Sequence, residues 1–380
     1  MSRTGVYREG DELMNNQRVL VITNMYPTSE HKSFGIFVKN QVDALKKRQV
    51  HVDVIAVTNP KSGKVNVLKK YSAWFIKTIL NLVTKGKTYD VIHAHYVFPS
   101  GFLGLLFKKL FGTRLVVTAH GGDIDKMAKK SGRLFKLAEF ILHEADHVIA
   151  VGEELHEQII TTFSVDQRKV SIINMGVNRE VFKPHDQGKA RMLCGIAEHE
   201  KVILFVGNIL QQKGISELID AIDLIHQSEP TVRLYLIGSE KSPSFKQQLE
   251  RVIKDKQLEK IVQFLGTKEQ PVIAKWMSAA DCVVLPSYME GFGLVALEAM
   301  ACETPVVGTN VGGLKYLLAD GAGVISPVKN SIELANSILY ILSSEKERNK
   351  IIRNGIIKAE ENDQERMLNR VMDVYFPTGG

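Results

Sequence analysis

The chain has 380 residues, 44% of them apolar, and a formal net charge of +7. That length is more than one compact core usually serves, so two domains are predicted. No apolar run reaches the ~18 residues that a membrane-spanning helix requires, and a membrane-spanning protein is therefore not expected. The three widely spaced cysteines form no CxxC pair, which argues against disulfides and zinc and indicates a reducing cytoplasm; they are Cys194, Cys282 and Cys302.

Charge divides the chain into a polar start, a basic half and a nearly neutral half. Residues 1–16 lack the apolar core of a signal peptide and are expected to form a disordered extension. Residues 16–184 carry 25 Lys and Arg against 14 Asp and Glu, whereas residues 185–380 carry 22 against 25. A basic half attracts anionic partners, which are a membrane surface, a phosphorylated acceptor or nucleic acid. Nucleic acid is not predicted, because the basic half has no RNA- or DNA-binding motif.

Short β-branched runs alternate with helical periods along the whole chain. The first series of predicted strands, with a helix near Phe34–Arg48 after its first member, comprises Arg18–Thr23, His51–Val57, Tyr89–Ala94, Arg114–Ala119, His147–Val151 and Lys169–Ile173. The second series comprises Lys201–Val206, Arg233–Ile237, Ile261–Leu265, Asp281–Leu285, Pro305–Val307 and Gly323–Ile325. Such alternation indicates parallel sheets with helices on both faces. The predicted fold class is α/β, with two doubly wound Rossmann-like domains facing a cleft at the carboxyl ends of their strands.

The segment that follows the predicted strand Asp281–Leu285 has the chemistry of an anion site. It runs Pro-Ser-Tyr-Met-Glu-Gly-Phe-Gly and then enters a helix predicted from about Gly293 to Cys302. Gly291 and Gly293 lack Cβ atoms, so the backbone can approach a ligand closely. The helix directs its unpaired N–H groups and positive dipole end at that ligand, which favours a phosphate.

A longer pattern resembles a known family. The Glu-Gly-Phe-Gly turn, the helix after it, the run Thr304–Gly308 and the pair Gly312-Gly313 resemble the donor-site signature of glycosyltransferase family 4, the retaining transferases of GT-B fold. The stretch from Asn174 to Pro184 is similar to the family's interdomain linker, and the resemblance covers nearly the whole chain from Arg18 onward. It implies an acceptor-binding domain over residues 17–184, a nucleotide-sugar donor-binding domain over 185–360, and a C-terminal helix over 361–376 that returns to the first domain. The last helix itself is predicted from about Ser344 to Phe376.

The resemblance also implies roles for individual residues. Glu290 would meet the hydroxyls of the transferred sugar, Lys213 would hold the diphosphate, and Glu298 would accept from a ribose diol. Asn208 stands where relatives have an arginine, so one fixed charge near the diphosphate is lost. The full set of predicted donor contacts is Gly35, Asn208, Lys213, Gly238, Gly266, Gly291, Phe292, Gly293, Leu294 and Glu298. Gly35 is equally explained as an ordinary turn glycine, and Gly238 and Gly266 are predicted to leave room for the base, with an ordinary turn as the alternative.

Acceptor contacts are predicted after the strand Arg114–Ala119. The resemblance places His120 beside the transferred sugar and the acceptor, although a lone histidine often satisfies a hydrogen bond in the core. Asp123, the first residue of an Asp-Ile-Asp sequence, is predicted to contact the acceptor and not a metal ion. The predicted catalytic residues are Glu290, His120 and Lys213, and neither a metal nor a cofactor is expected.

The function implied is a retaining, metal-independent transfer of a hexose or N-acetylhexosamine from a nucleotide diphosphate sugar, in cell-surface polysaccharide or glycolipid synthesis. The leaving phosphate takes the acceptor proton, so no strong base is required. Lysines interleaved with apolar residues over 69–87, 101–109 and 126–136 suit either an anionic membrane surface or ordinary packing helices. The expected location is the cytoplasm, with peripheral membrane contact left open. The alternatives are an epimerase or phosphorylase of the same fold, or a non-catalytic sugar-nucleotide-binding protein.

Overall fold

A computed structural model describes residues 17–61, 63–122, 124 and 132–377. The extension predicted over residues 1–16 lies outside them. The described residues up to Met175, together with those from Met367 onward, form one compact unit, and Gly176–Arg366 form a second.

The first unit is built on a sheet of parallel strands with the order β2-β1-β3-β4-β5-β6. Its strands are β1 (Arg18–Thr23), β2 (His51–Ala56), β3 (Val91–His95), β4 (Arg114–Ala119), β5 (His147–Ala150) and β6 (Val170–Ile172). The α-helices described between them are α1 (Ile36–Lys47), α2 (Lys64–Lys85), α3 (Phe102–Phe111), α4 (Gly132–Glu144) and α5 (Glu153–Thr162). Strands β1, β3 and β4 are almost wholly buried, because helices cover both faces of a doubly wound sheet.

The second unit has its own parallel sheet, with the order β12-β11-β10-β7-β8-β9. Its strands are β7 (Lys201–Val206), β8 (Val232–Ile237), β9 (Val262–Gly266), β10 (Cys282–Leu285), β11 (Val306–Thr309) and β12 (Val324–Ser326). Its α-helices are α6 (Gln187–Cys194), α7 (Ile215–Ser228), α8 (Pro243–Asp255), α9 (Gln270–Ala279), α10 (Leu294–Ala301), α11 (Gly312–Leu317), α12 (Ser331–Ser343) and α13 (Glu345–Glu361).

Alternate residues of β7 supply two separate cores in the second unit. Val202, Leu204 and Val206 pack on one face with apolar residues of α9 and α10, whereas Ile203 and Phe205 pack on the other with α7 and α12. The predicted α/β class with two doubly wound parallel sheets is therefore confirmed. Three predicted strands agree with the structure at both ends, and the others differ by one or two residues.

The predicted linker is part of a core. Asn174 and Met175 are buried, and Val177 and Phe182 belong to the apolar core of the second unit. The boundary between the two compact units falls after Met175, which is inside the predicted linker and nine residues before the predicted domain end at 184.

The single helix predicted from Ser344 to Phe376 is two helices, α13 and α14 (Gln364–Tyr375). Between them the backbone N–H of Val177 donates to the carbonyl of Asn362 at 2.9 Å, and the N–H of Gln364 donates to the carbonyl of Val177 at 3.0 Å. These bonds take backbone groups out of the helical pattern and end α13. Helix α14 then packs into the core of the first unit through Met367, Leu368, Val371, Met372, Val374 and Tyr375.

Each sheet has one point at which the strand order reverses. In the second unit it lies between β7 and β10, and in the first between β1 and β3, and the strands pair in parallel at both points. Ligands of doubly wound folds bind beyond the carboxyl ends of the strands at such points.

Candidate functional site

Two loops of the second unit meet at its reversal point. The loop after β7 ends in a 3₁₀ turn, Gln211–Lys213, and the loop after β10 carries Ser287 and Glu290. The Lys213 ammonium donates to Oε2 of Glu290 at 2.5 Å, and the Ser287 hydroxyl donates to the same oxygen at 3.3 Å. Both charged side chains are about one-fifth exposed. The predicted diphosphate and sugar residues therefore form one ion-paired group that a ligand can reach.

The backbone holds these two loops against each other. The N–H of Tyr288 donates to the carbonyl of Gln212 at 2.9 Å, and the Thr309 hydroxyl donates to the carbonyl of Ser287 at 2.5 Å. At Gly214, which has a φ of +67°, a Cβ atom would lie 1.9 Å from the carbonyl oxygen of Pro286. Only glycine permits that approach, so the position of Lys213 relative to Glu290 is built into the fold.

Helix α10 begins immediately after the same loop. Its N-cap is Gly293, and Leu294 is its first residue, so the free N–H groups of its first turn face the region beyond β10. The loop rests on the first turn of α11, where Cβ atoms at Gly312 and Gly313 would lie 1.7 Å and 2.3 Å from the carbonyl oxygens of Glu290 and Phe292. Because residues 312 and 313 are glycines, the first turn of α11 can pack directly against the backbone of the loop.

Glu298 lies on α10, and its side chain is partly buried. Burial raises the pKa of this carboxyl to about 8. Burial also raises the pKa of the Cys302 thiol, one turn later, to about 12, and the charge of Glu298 adds to that shift. A carboxyl that is costly to ionise in the empty site becomes easier to ionise when hydroxyl donors reach it.

Replacing Glu298 with glutamine is expected to stabilise the empty protein at alkaline pH. Folding raises the pKa of Glu298, so ionising this carboxyl costs more free energy in the native state than in the unfolded state. This cost grows as pH rises from about 4.5 towards 8. Glu298→Gln should increase the free energy of unfolding by about 1–3 kcal/mol at pH 8.5 and hardly at all at pH 4.5. Urea unfolding at both pH values measures this, with the exposed Glu303→Gln as the control for removing one carboxylate. A gain of equal size at both pH values would contradict it.

The other predicted donor residues have mixed surroundings. Asn208 is exposed just beyond β7, and Gly291 and Phe292 are partly buried in the loop after β10. A Cβ atom at Gly238 would lie 1.7 Å from the carbonyl oxygen of Gly207, so this glycine is required by the packing of two backbones whatever else it contacts. Gly266 has a φ of +67° and open space around it.

Gly35 and His120 belong to the first unit. Gly35 is the N-cap of α1, where a Cβ atom would lie 2.5 Å from the carbonyl oxygen of Met25. Phe37, two residues later, packs against the His120 ring with 5.0 Å between ring centroids. The other predicted acceptor residue, Asp123, lies outside the described residues.

His120 is one of three histidines at the carboxyl ends of β3 and β4, a group called the histidine cluster below. Its other members, His93 and His95, are fully buried on β3. His95 Nδ1 lies 3.1 Å from His120 Nε2, and the rings of His93 and His95 are 4.2 Å apart. Burial lowers the pKa of His93 and His120 to about 3 and that of His95 well below its usual value, so all three are neutral at pH 7.

The sequence analysis missed His93, His95 and their partners. His93 Nδ1 lies 2.5 Å from the Tyr375 hydroxyl, and His93 Nε2 lies 2.7 Å from the Thr118 hydroxyl. The spacing of two along β3 was an available signal, since it puts both histidines on one face of the strand. The resemblance predicted that the C-terminal helix returns to the first domain, but nothing in the sequence indicated that Tyr375 would contact a histidine of β3.

Two absences hold for the described part of the chain. No group of three or more His, Cys, Asp or Glu side chains there is arranged to hold a metal ion. None of its helices is both long enough and apolar enough to cross a bilayer.

Comparison with known proteins identifies the family. The family description "Glycosyltransferase Family 4" matches residues 34–181, and "Glycosyl transferases group 1" matches residues 186–358. A D-inositol 3-phosphate glycosyltransferase of Kribbella flavida is 31% identical over 332 residues, which are 80% of this chain and 77% of that protein. The chain belongs to glycosyltransferase family 4. Another family 4 relative, the D-inositol 3-phosphate glycosyltransferase of Pseudarthrobacter chlorophenolicus, is 32% identical over 76% of this chain and 70% of its own.

Solved structures agree with this family 4 assignment at the level of the fold. Sucrose-phosphate synthase from Thermosynechococcus elongatus aligns with a TM-score of 0.80 and 24% identity, covering 94% of this chain and 98% of that one. HepE from Anabaena, solved in complex with UDP-glucose, aligns with a TM-score of 0.75 and 21% identity over 94% of this chain and 98% of its own. The fold is GT-B, and the protein is a glycosyltransferase, as the sequence predicted.

Proposed function

We propose that this family 4 member is a retaining, metal-independent transferase that uses a nucleotide diphosphate sugar. In this proposal the second unit binds the donor and the first binds the acceptor. The observation that carries it is the pairing of Lys213 with Glu290 beside the first turn of α10, at the reversal point of a doubly wound sheet. The UDP and UDP-glucose complexes of HepE support a nucleotide-linked donor.

The reaction assigns each of these groups a task. Lys213 and the N–H groups of α10 stabilise the charge that develops on the leaving diphosphate. Glu290 accepts from hydroxyls of the sugar, and Glu298 accepts from the ribose diol. The bond from the sugar C1 to the diphosphate breaks, the bond from C1 to the acceptor oxygen forms on the same face, and the acceptor proton passes to the departing phosphate oxygen.

The neutral state of His120 is consistent with that proton path. A histidine whose pKa is about 3 is a poor general base at pH 7, so the phosphate is the better proton acceptor. His120 instead orients the sugar and the acceptor. The exposed Asn208 adds no charge here. In this proposal Lys213 therefore supplies the side-chain positive charge that stabilises the diphosphate.

Nucleoside diphosphate release from UDP-, GDP- and ADP-linked glucose, galactose, mannose and N-acetylglucosamine tests the proposal directly. One donor is expected to be consumed in an acceptor-dependent reaction that persists in EDTA. The product, analysed by proton NMR, is expected to keep the donor's anomeric configuration. Inversion or loss of activity in EDTA would contradict the retaining, metal-independent mechanism. Donor conversion without an acceptor would indicate an epimerase, and no turnover of any donor would favour a non-catalytic binding protein.

The names of the relatives raise a specific alternative for the acceptor. Both family 4 relatives described above are named for D-inositol 3-phosphate, an anionic soluble acceptor that suits a basic first unit. The acceptor series should therefore include inositol 3-phosphate beside lipid-linked sugars. Transfer to inositol 3-phosphate alone would contradict the cell-surface polysaccharide or glycolipid role that the sequence resemblance implies.

The first unit also carries a surface that suits peripheral binding to an anionic membrane. Helix α2 buries one narrow side, on which Trp74 donates to the carbonyl of Ile55 at 3.2 Å. Its opposite side is an exposed apolar stripe, here called the α2 outer stripe: Val65, Leu68, Phe75, Ile76, Leu80 and Val83. Leu68 and Val83 are 70% and 77% exposed. Such a helix can lie in the headgroup region of a bilayer.

Charge favours an anionic lipid surface as the occupant of this stripe. Between Asp53 and Asp123 the chain has ten Lys and Arg residues and one acidic residue, Asp90. Among the segments predicted to touch the membrane, α3 is mainly a core helix, because Leu103, Leu105 and Phe107 are buried. Of the third segment, residues 126–131 lie outside the described residues.

Replacing Leu68, Ile76 and Val83 with serine is expected to abolish binding to phosphatidylglycerol vesicles. The substitutions remove exposed apolar groups and leave every lysine in place, so the fold and the electrostatic attraction remain. Vesicle co-sedimentation measures the loss, with zwitterionic phosphatidylcholine vesicles, which carry no net charge, as the comparison. Ile332→Ser with Ile357→Ser, two exposed apolar residues of the second unit, is the control. No vesicle binding by the wild type, or a dimer that the triple variant converts to a monomer, would contradict membrane docking.

A further inference from the structure

The histidine cluster contains a hydrogen bond that determines which nitrogen of His120 carries the proton. We propose that His95 is a positioning residue, which donates from its Nδ1–H to His120 Nε2 and so holds His120 as the Nδ1–H tautomer. The importance of this tautomer for sugar transfer rests on the proposed function, in which His120 faces sugar and acceptor. The tautomer itself does not depend on that function.

The geometry limits the cluster to two arrangements of protons. His95 Nδ1 and His120 Nε2 are 3.1 Å apart, so one of them donates and the other accepts. The rings are nearly parallel, with an interplanar angle of 23°. Both imidazoles are neutral, because burial disfavours their charged forms, and each therefore carries one proton.

The second nitrogen of His95 decides between these arrangements. His95 is fully buried, and its Nε2 has no hydrogen-bond partner among the described residues. If His120 were the donor, the His95 proton would lie on Nε2 as a buried N–H without an acceptor, and orphaned N–H groups of this kind are rare. With the proton on Nδ1, His95 uses it in the hydrogen bond, and the nitrogen left without a partner is unprotonated.

The remaining contacts of His95 keep its ring from turning away. Its ring packs against the tilted ring of His93, which is itself fixed between the hydroxyls of Tyr375 and Thr118. The Tyr96 and Phe37 rings pack on His120 from other sides, with centroid distances of 4.6 Å and 5.0 Å. These contacts hold both imidazole rings in the positions that the hydrogen bond between His95 and His120 requires.

This arrangement has a chemical consequence for His120. Its Nε2 is engaged as an acceptor and cannot take a proton from a ligand, whereas its Nδ1 is a hydrogen-bond donor. His120 thus serves as an oriented N–H group and not as a base. His95 acts on the reaction only through this orientation.

The nitrogen-15 NMR spectrum of the wild-type protein tests the tautomer without any assay of activity. Long-range proton–nitrogen correlations distinguish protonated from unprotonated ring nitrogens, and the His120 signals are assigned by their loss in His120→Asn. The expected pattern is a protonated Nδ1 and an unprotonated Nε2 for His120. A protonated Nε2 on His120 would overturn the inference, even if the enzyme transfers sugar as proposed.

Two variants of His95 test its positioning role. Asparagine can place an amide N–H where Nδ1 was, whereas leucine fills similar space with no donor. His95→Leu is expected to lower kcat about 10- to 100-fold, as does the loss of residues that orient functional groups, with the KM for the donor unchanged. His95→Asn should restore most of that activity and retain the Nδ1–H pattern of His120. The control is His147→Leu, which removes a partly buried histidine of the same unit whose Nε2 lies 2.8 Å from the Ser171 hydroxyl.

These outcomes separate the inference from the proposed function. Equal activity of His95→Leu and wild type would overturn the positioning role. Failure of His95→Leu to fold would leave the wild-type spectrum and His95→Asn as the deciding measurements. An enzyme without sugar transfer would overturn the proposed function alone, because the spectrum still reports the His120 tautomer.

Discussion

Replacing Lys213 with alanine is expected to lower kcat for sugar transfer about 10²- to 10³-fold while the thermal midpoint of unfolding hardly changes. The Lys213 ammonium pairs with Glu290 at the reversal point of the second sheet. Its removal takes away the fixed charge that we assign to the leaving diphosphate. It lies in a turn that backbone bonds hold in place, so the turn survives without it.

Glu290→Ala should lose activity to a similar extent, and the double variant should lose little more than either single variant. The reason is that the two side chains pair at 2.5 Å, and groups that act as a unit show non-additive effects. The kcat of all three variants is measured by steady-state kinetics, with the nucleotide sugar that the nucleoside diphosphate release assay identifies as the donor. Lys350→Ala and Glu259→Ala are the controls, since both side chains are exposed on the second unit. Full activity in both single variants would remove the donor-site assignment.

The largest expected effect on stability is that of Arg191→Met. The Arg191 guanidinium is buried and donates to Oδ2 of Asp281 at 2.7 Å, and the N–H of Val202 donates to the same oxygen at 2.7 Å. The guanidinium also donates to the carbonyls of Ala279, Glu198 and Glu200. Removing it leaves a buried carboxylate without its countercharge, which costs about 3–5 kcal/mol of unfolding free energy.

Urea unfolding followed by tryptophan fluorescence can assign that loss to one unit. The protein has two tryptophans, Trp74 in the first unit and Trp276 in the second, and both are buried. In a Trp74→Phe background, fluorescence reports the second unit alone. The control is Arg179→Met, since the Arg179–Glu360 pair lies in the same unit but is exposed and should contribute little to stability. Equal losses in the two variants would contradict the prediction.

The strands could be predicted because the residue pattern that defines each strand lies within the strand and the turns beside it. Runs such as Lys201–Val206 are apolar on both faces, and the polar turns that bound them are short, so both ends were placed correctly. The linker could not be recognised as core. The burial of Val177 and Phe182 depends on partners far along the chain, which polar neighbours in the sequence conceal. The break at Asn362 was missed for the same reason, since it is caused by bonds to Val177.

The second-unit site was predictable to a greater extent than the first. Lys213 follows β7 and Glu290 follows β10, and these two strands flank the point at which the strand order reverses. Topology alone therefore brings the two residues together. The cluster around His120 depends on His95, whose role appears only when two strands align in register and a ring is buried. The raised pKa of Glu298 likewise arises from burial, which the amino-acid type does not reveal.

Helix α14 also affects how the first unit can fold during translation. The core of the first unit includes side chains from Met367 to Tyr375, which the ribosome makes only after the whole second unit. The amino-terminal half therefore leaves the exit tunnel with part of its apolar interior missing, and this interior can be completed only after residues 367–375 have also left the tunnel. Folding from the amino terminus onward, the usual order for multidomain chains, cannot be completed here, and the nascent first half is the part in need of chaperones.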